Sequence, residues 1–230
     1  EVRSDKELVA LLYKILPKGI TIINLDKFYE SVTGKIPVYQ ISESWFLENL
    51  IELNKRSFEK IKESIDAVLG IFMLPILMVL YPVIGLAIKL NSRGPVLYKQ
   101  KRVGKGGQIF NLIKFRSMVK NAEQNGAQWA KEGDSRVTLV GNVLRKTRLD
   151  ELPQIWNVVK GDLSFVGPRP ERPEFVEELE KQIPFYSARS LVRPGLSGWA
   201  QVNFPYGASV EDATEKLQYD LYYIKNRGLI

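Results

Sequence analysis

Residues 67 to 88 read AVLGIFMLPILMVLYPVIGLAI, 22 positions without a charged side chain. As a helix they would cover about 33 Å, enough to match the hydrocarbon core of a bilayer. Pro75 and Pro82 lie inside the run. Each removes a backbone donor and crowds the preceding turn, so each is a kink site. Basic residues flank both ends, Lys60 and Lys62 before, Lys89 and Arg93 after. A simple span tends to gather positive charge on one side. A helix-break-helix that enters and leaves a membrane on one face fits both facts. A buried core helix of a soluble protein is the weaker reading at this length and apolarity.

Composition narrows the chemistry. The chain has 230 residues and is 45% hydrophobic, which allows one or two domains with a sizeable core. It has no cysteine and no histidine. That excludes disulfides, thiolate and imidazole catalysis, and Cys or His zinc sites. A bound metal is expected to be a hard, oxygen-liganded ion such as Mg²⁺. The net charge of +7 favours anionic partners: nucleic acid, phosphate esters or anionic lipid. Between Arg93 and Lys120 there are 8 basic residues and no acidic one. The sequence starts with Glu, which suggests processing or a fragment, and nothing at its start looks like a signal peptide.

Around the apolar run the chain divides into recognisable pieces. Residues 1–57 suggest the end of a small α/β unit: LVALLYKIL at helical spacing, ITIINL (20–25) as a buried strand, and DKFYESVTG as a helix stopped by Gly34. After the run, PVLY and QIFNLI suit short strands around a turn at Gly104, Gly106 and Gly107. Basic residues there alternate with Tyr98, Phe110 and Phe115, a pattern that single-stranded nucleic acid could also use. Beside a membrane segment, anionic headgroups and a nucleotide diphosphate are the better partners. Residues 121–138 read as a polar loop with a short helix, and GNVLRKTR as helical. The C-terminal SVEDATEKLQYDLYYIKNRG reads as a helix with Ser209 as N-cap, Asp212 in its first turn, and a Leu217, Leu221, Ile224 stripe.

The chemistry concentrates in RKTRLDELPQIWNVVKGDLSFVGPRPE, residues 145–171. Asp150 and Glu151 are adjacent, so on a helix they point about 100° apart and take separate roles. Proline is tolerated in a helix's first turn, so Pro153 starts the helix PQIWNVVK near Asp150. Asp150 then lies at or next to the N-cap, where the helix dipole favours an anion. Arg145, Arg148, Arg169 between two prolines, and Arg193 before Pro194 and Gly195 supply guanidinium groups suited to pyrophosphate. Beside them a carboxylate could coordinate a cation or attack phosphorus. A bare Asp-Glu pair more commonly makes surface ion pairs. The GPRP turn and the membrane segment turn the reading toward catalysis.

Four motifs carry a family resemblance: Lys114-Phe-Arg-Ser-Met, Arg148-Leu-Asp-Glu-Leu-Pro-Gln, Leu163-Ser-Phe-Val-Gly-Pro-Arg-Pro and Arg193-Pro-Gly-Leu-Ser-Gly-Trp-Ala-Gln-Val. Together they resemble the bacterial sugar transferases that are monotopic phosphoglycosyl transferases, over about residues 58–230. The resemblance implies an α+β, mostly helical fold. It has a re-entrant membrane helix at about residues 65–90, interfacial amphipathic helices and a small β element. Residues 1–57 resemble the tail of the Rossmann-like domain that precedes the catalytic part in larger members.

The implied activity transfers a sugar 1-phosphate from a UDP-sugar to polyprenyl phosphate, releases UMP, and starts surface-polysaccharide synthesis at the cytoplasmic face of the inner membrane. The implied catalytic residues are Asp150, as nucleophile and Mg²⁺ ligand, and Glu151, which supports it. The implied phosphate holders are Arg145, Arg169, Arg193, Lys114 and Arg116. The implied partners are UDP-sugar, polyprenyl phosphate and membrane lipid, without nucleic acid; a homo-oligomer is left open. The chain departs from the family at the helix break, usually a Ser-Pro pair. Counted from Asp66 to Lys89 that break falls near Met78-Val79, and here Tyr81-Pro82 is expected to replace it. The alternatives are a nucleic-acid-binding module and a non-catalytic membrane scaffold.

Overall fold

The computed structural model describes residues 6–20, 23–49, 56–122, 126, 133–205, 207 and 209–228. Its axis is α4, Arg56–Asn91, helical throughout. It is the one helix among the described residues long and apolar enough to cross a membrane, and only 17% of its apolar window is buried inside the protein. A core helix of a soluble protein would be mostly covered, whereas most of this apolar surface is left uncovered by the described residues. Phe72 and Leu90 are 75% and 79% exposed.

The interruption expected at Tyr81-Pro82 does not appear as a break in helical structure. Pro75 and Pro82 both lie on the exposed side. There the missing N–H bonds to the carbonyls of Ile71 and Met78 do not disturb the packed face.

The packed face of α4 runs through Asp66, Gly70, Leu77, Leu80, Ile84 and Ile88, a spacing of three and four that keeps one side of a helix together. A Cβ on Gly70 would stand 2.7 Å from Val159 Cγ2, so the close crossing of α4 over α6 (Gln154–Lys160) requires glycine there. Farther along, Ile84 and Ile88 pack with Phe115 and Leu144, and the Tyr81 and Phe115 rings lie 5.8 Å apart. Polar contacts hold the first turns of α4. Glu59 pairs with Lys105 at 2.8 Å and with Arg227, and Glu63 pairs with Arg193.

The expected hairpin is present. β1 (Leu97–Val103) and β2 (Ile109–Phe115) are antiparallel, with Leu97 opposite Phe115 and Val103 opposite Ile109. Between them Gly106 and Gly107 take left-handed φ values of 65° and 78°, which glycine adopts without strain. α5 (Leu139–Lys146) follows, capped by Thr138, whose side chain accepts from the Gly141 N–H. β3 (Ser164–Val166) and β4 (Gly195–Ser197) form a short parallel pair. It brings the GPRP turn against the Arg193-Pro-Gly turn.

The rest of the core is helical. α7 (Pro173–Gln182) and α9 (Val210–Asn226) share a cluster containing Leu179, Ile183, Tyr186, Leu217, Leu221 and Ile224. Leu217 and Leu221 are wholly buried, about 2 kcal/mol of hydrophobic stabilisation each. Ser209 and Asp212 form the reciprocal capping box at the start of α9.

The N-terminal segment joins this core through Ile36, Val38 and Trp45. Its helices are α1 (Lys6–Ile15), α2 (Leu25–Thr33), ended by Gly34 at φ 63°, and α3 (Glu43–Asn49). The strand expected over 20–25 is absent where described: Ile20, Ile23 and Asn24 are outside any strand, and Leu25 opens α2. Among the described residues no neighbouring strand stands there to satisfy its backbone. Thr21 and Ile22 lie outside the described residues, as does most of the expected loop helix in 121–138.

Candidate active site

Three local features assemble the site. β2 presents Lys114 one residue before its end. α5 presents Arg145 in its last turn, and Arg148 then takes left-handed backbone angles (φ 59°), which swings the chain into a 3₁₀ turn at Leu149–Glu151. α6 begins at Gln154 after Pro153. Asp150 is therefore in the turn ahead of α6, not at its N-cap as the position of Pro153 suggested. Pro153 itself has helical angles (φ −62°, ψ −15°) and continues the 3₁₀ turn into the helix. The Asp150 carboxylate is thus not used in capping.

Asn157 fixes α6 to the hairpin. Its Oδ1 accepts from the Ile113 N–H at 3.1 Å, and its Nδ2 donates to the Asn111 carbonyl at 2.8 Å. It is 1% exposed. A single amide thus occupies one donor and one acceptor of the β2 edge and sets the spacing between Lys114 and the Asp150 turn. Sequence reading passed over Asn157; an asparagine within an otherwise apolar helical run was the available signal.

Asp150 is 7% exposed, and its Oδ1 is buried without a hydrogen-bond partner. Burial raises its pKa above the ordinary range. Lys114 counteracts this, the neighbouring Glu151 adds to it, and Arg145 and Arg148 counteract it further. Glu151 differs. Burial is the largest influence and pushes it up, but Arg169, by charge and hydrogen bond, together with Lys114 and Arg148 holds it below the usual range. Arg169 Nη2 donates to Glu151 Oε1 at 2.7 Å and Nη1 to Oε2 at 3.5 Å, a two-point contact. Burial, followed by repulsion from Arg169, brings Lys114 down to about 8. Two adjacent carboxylates are thereby differentiated: Glu151 is engaged, and Asp150 keeps a free oxygen.

The predicted phosphate holders separate in space. Lys114, Arg145 and Arg169 gather around the carboxylates, and Arg145 Nε donates to Ser117 Oγ at 2.9 Å. Arg116 points elsewhere. It donates to the Ser92 carbonyl at 2.7 Å, to the Arg93 carbonyl at 3.1 Å and to Ser92 Oγ. It thus ties the end of α4 to the first residue past β2, where the chain has left the strand that carries Lys114. Arg193 is engaged by Glu63 on α4.

The GPRP turn is held by its carbonyls. Pro168, Arg169 and Pro170 accept, respectively, from Gly195 N–H (2.9 Å), Arg189 Nη2 (2.9 Å) and Arg102 Nη1 (2.9 Å).

No group of three or more potential protein ligands for a metal gathers among the described residues. A Mg²⁺ ion does not need one, since it commonly takes one or two carboxylates and completes its shell with substrate phosphate and water. The unpartnered Asp150 Oδ1 is a donor of that kind, so the residues present fit the ion.

A free carboxylate oxygen, cations around it and a helix of membrane-spanning length packed on the same unit are brought together here. The chain belongs to the bacterial sugar transferase family, whose sequence model matches residues 57–230. It is 45% identical over 210 residues to the UDP-N-acetylgalactosamine-undecaprenyl-phosphate N-acetylgalactosaminephosphotransferase of Aeromonas hydrophila, covering 91% of this chain and 49% of that protein. It is 36% identical to the UDP-glucose:undecaprenyl-phosphate glucose-1-phosphate transferase of Klebsiella pneumoniae, covering 91% and 44%. The protein of that name from Escherichia coli is 40% identical, over 72% and 36% of the two chains. The chain thus spans about half the length of these relatives, or less.

Proposed function

We propose that this protein transfers a sugar 1-phosphate from a UDP-sugar to polyprenyl phosphate and releases UMP. The observation that carries the reading is Asp150: a buried carboxylate with one free oxygen, set among Lys114, Arg145 and the Glu151–Arg169 pair. In the first step Asp150 attacks the phosphorus bonded to the sugar oxygen. A carboxylate O–P bond forms, the bridging P–O bond to UMP breaks, and UMP leaves with the electron pair. In the second step an oxygen of polyprenyl phosphate attacks the same phosphorus, and the Asp150 carboxylate departs.

Lys114 and Arg145 hold the phosphate charge, and Arg169 keeps Glu151 ionised while presenting its remaining donors to the site. Asp150 is the residue that would hold Mg²⁺, which when bound would supply further neutralisation of the diphosphate charge. The relatives' names specify different sugars, so the donor is proposed as a UDP-sugar without naming the hexose.

The lipid acceptor explains the exposure of α4. The helix is proposed to bend at its internal prolines, without losing helical structure, and so to enter and leave the cytoplasmic face of the inner membrane, since basic residues stand at both of its ends. With no native cysteine, single labels at Lys60→Cys and Lys99→Cys report this directly. Labelling from the same side is expected, and labelling from opposite sides would establish a span.

The function is tested by a UMP-release screen over UDP-sugars with polyprenyl phosphate and Mg²⁺. Acceptor-dependent release with one or more donors is the expected outcome. Absence of release across the panel would overturn the proposal.

A further inference from the structure

Pro168 and Pro170 fix φ on either side of Arg169, and the residue before a proline is itself held extended. What these rings leave unset is where the turn stands in the fold, and anchoring the Arg169 carbonyl anchors the Cα from which its side chain extends. Arg189 supplies that anchor. Its Nη2 donates to the Arg169 carbonyl at 2.9 Å and to Asp220 Oδ2 at 2.8 Å, and its Nη1 donates to Tyr186 Oη at 2.7 Å, with Glu171 at 3.9 Å. Asp220 comes from α9 and is 1% exposed. The Arg189 side chain is 10% exposed.

We infer that Asp220 and Arg189 are positioning residues, which set the angle at which Arg169 meets Glu151 and the substrate phosphate. A buried ion pair is a weak source of stability, because desolvation offsets its attraction and apolar residues of the same volume serve as well. A planar guanidinium with one nitrogen shared between a carboxylate and a backbone carbonyl instead defines a direction. The chain of contacts runs from Asp220 to Arg189, to the Arg169 carbonyl, and through the Arg169 side chain to Glu151 beside Asp150. Neither Asp220 nor Arg189 belongs to the motifs from which the site was read.

The inference rests on the reading of Arg169 as a phosphate holder, so the test separates the two. UDP, common to all the proposed donors, is titrated by calorimetry into the full chain in detergent. The proteins compared are wild type, Asp220→Asn, Arg169→Lys and the double variant, each with its melting temperature.

Asp220→Asn is expected to weaken UDP binding about tenfold, the scale of one charged hydrogen bond. Arg169→Lys should weaken it by about as much or more, since lysine lacks the two-point fork. The double variant should bind within about threefold of Arg169→Lys alone, because Asp220 acts through Arg169. Losses that multiply, or an Asp220→Asn protein that binds like wild type, overturn the inference while leaving the site reading intact. Wild-type affinity in Arg169→Lys, or no UDP binding by wild type, overturns the site reading and the inference with it.

Tyr186→Phe removes only one acceptor from Arg189 and covers the case in which Asp220→Asn does not fold. It should weaken UDP binding by about threefold with an intact melt. A shifted melt with unchanged affinity would mark the network as purely structural.

Discussion

Asp66 and Asp150 are both closed off from solvent, at 5% and 7% exposure, and their surroundings are opposite. Asp66 lies on α4 with every direction filled. Ser164 donates to its Oδ2 at 2.7 Å, Lys62 approaches at 3.2 Å, and the Phe165 N–H reaches its Oδ1 at 3.3 Å. Lys62 also donates to Ser164 Oγ. These contacts fasten the start of the membrane helix to β3, the strand that leads into the GPRP turn. Asp150 has cations nearby and yet keeps one oxygen without a donor. Burying a carboxylate is unfavourable in both places. At Asp66 the cost is offset by bonds that fix structure. At Asp150 it is left partly uncompensated, which raises the pKa and leaves one oxygen without a donor. Burial alone therefore does not distinguish the two carboxylates; the unused hydrogen-bonding capacity of Asp150 does.

The sharpest way to break this contrast is to replace each aspartate with asparagine. Asp150→Asn should reduce UMP release by at least about a thousandfold, the scale of losing a nucleophile, with its melting temperature unchanged or raised. An uncharged amide relieves the burial penalty on Asp150, which favours the folded state. Turnover near the wild-type rate would remove Asp150 from the chemistry.

Asp66→Asn should act in the other direction. Its Nδ2 would face two donors, Ser164 Oγ and Lys62, so one hydrogen bond is lost and a like-with-like contact replaces it. A loss of about 2 kcal/mol is expected from stripping one charged acceptor out of such a network. For a chain of this size that lowers the melting temperature by about 4–8 °C. Turnover per folded molecule should stay within about threefold of wild type. A rate loss as deep as that of Asp150→Asn would mean that Asp66 is not merely structural.

The same contrast separates what was readable in the chain from what was not. The hairpin at Gly104–Gly107, the Gly34 stop of α2 and the Ser209–Asp212 capping box depend on neighbours a few residues away, and all appear as expected. The cluster of Lys114, Arg145, Asp150, Glu151 and Arg169 was also legible, because the motifs themselves hold the residue types. Partners distant in sequence were not. Asp66 meets Ser164 across 98 positions, Asn157 meets Ile113 across 44, and Arg189 meets Asp220 across 31. Nothing local in Arg116 distinguishes a phosphate ligand from a clamp on the Ser92 carbonyl. The described residues of the β-branched run at 20–25 show the converse: local propensity for a strand is not expressed at Ile20 and Ile23, and no second strand stands beside them among the described residues.

The smallest expected effect concerns Lys114, whose charge bears on Asp150. Burial and Arg169 depress its pKa to about 8. At pH 7 it is protonated and can hold phosphate; as pH rises through about 8 that charge is lost, so turnover should fall. Stability should move the other way. Between the folded pKa of about 8 and the ordinary lysine value near 10.4, the unfolded chain binds more protons at this residue than the folded one. Its contribution therefore makes the protein more stable as pH rises through that window. Lys114→Arg keeps its charge throughout. It should lose only a few-fold in rate at pH 7, through altered reach, while its alkaline limb moves up by about one pH unit or more. Rate and melting temperature measured between pH 7 and 10 in both proteins decide the point. An alkaline limb that stays in place in Lys114→Arg would show that another group titrates there, and that the free oxygen of Asp150 does not depend on the Lys114 charge.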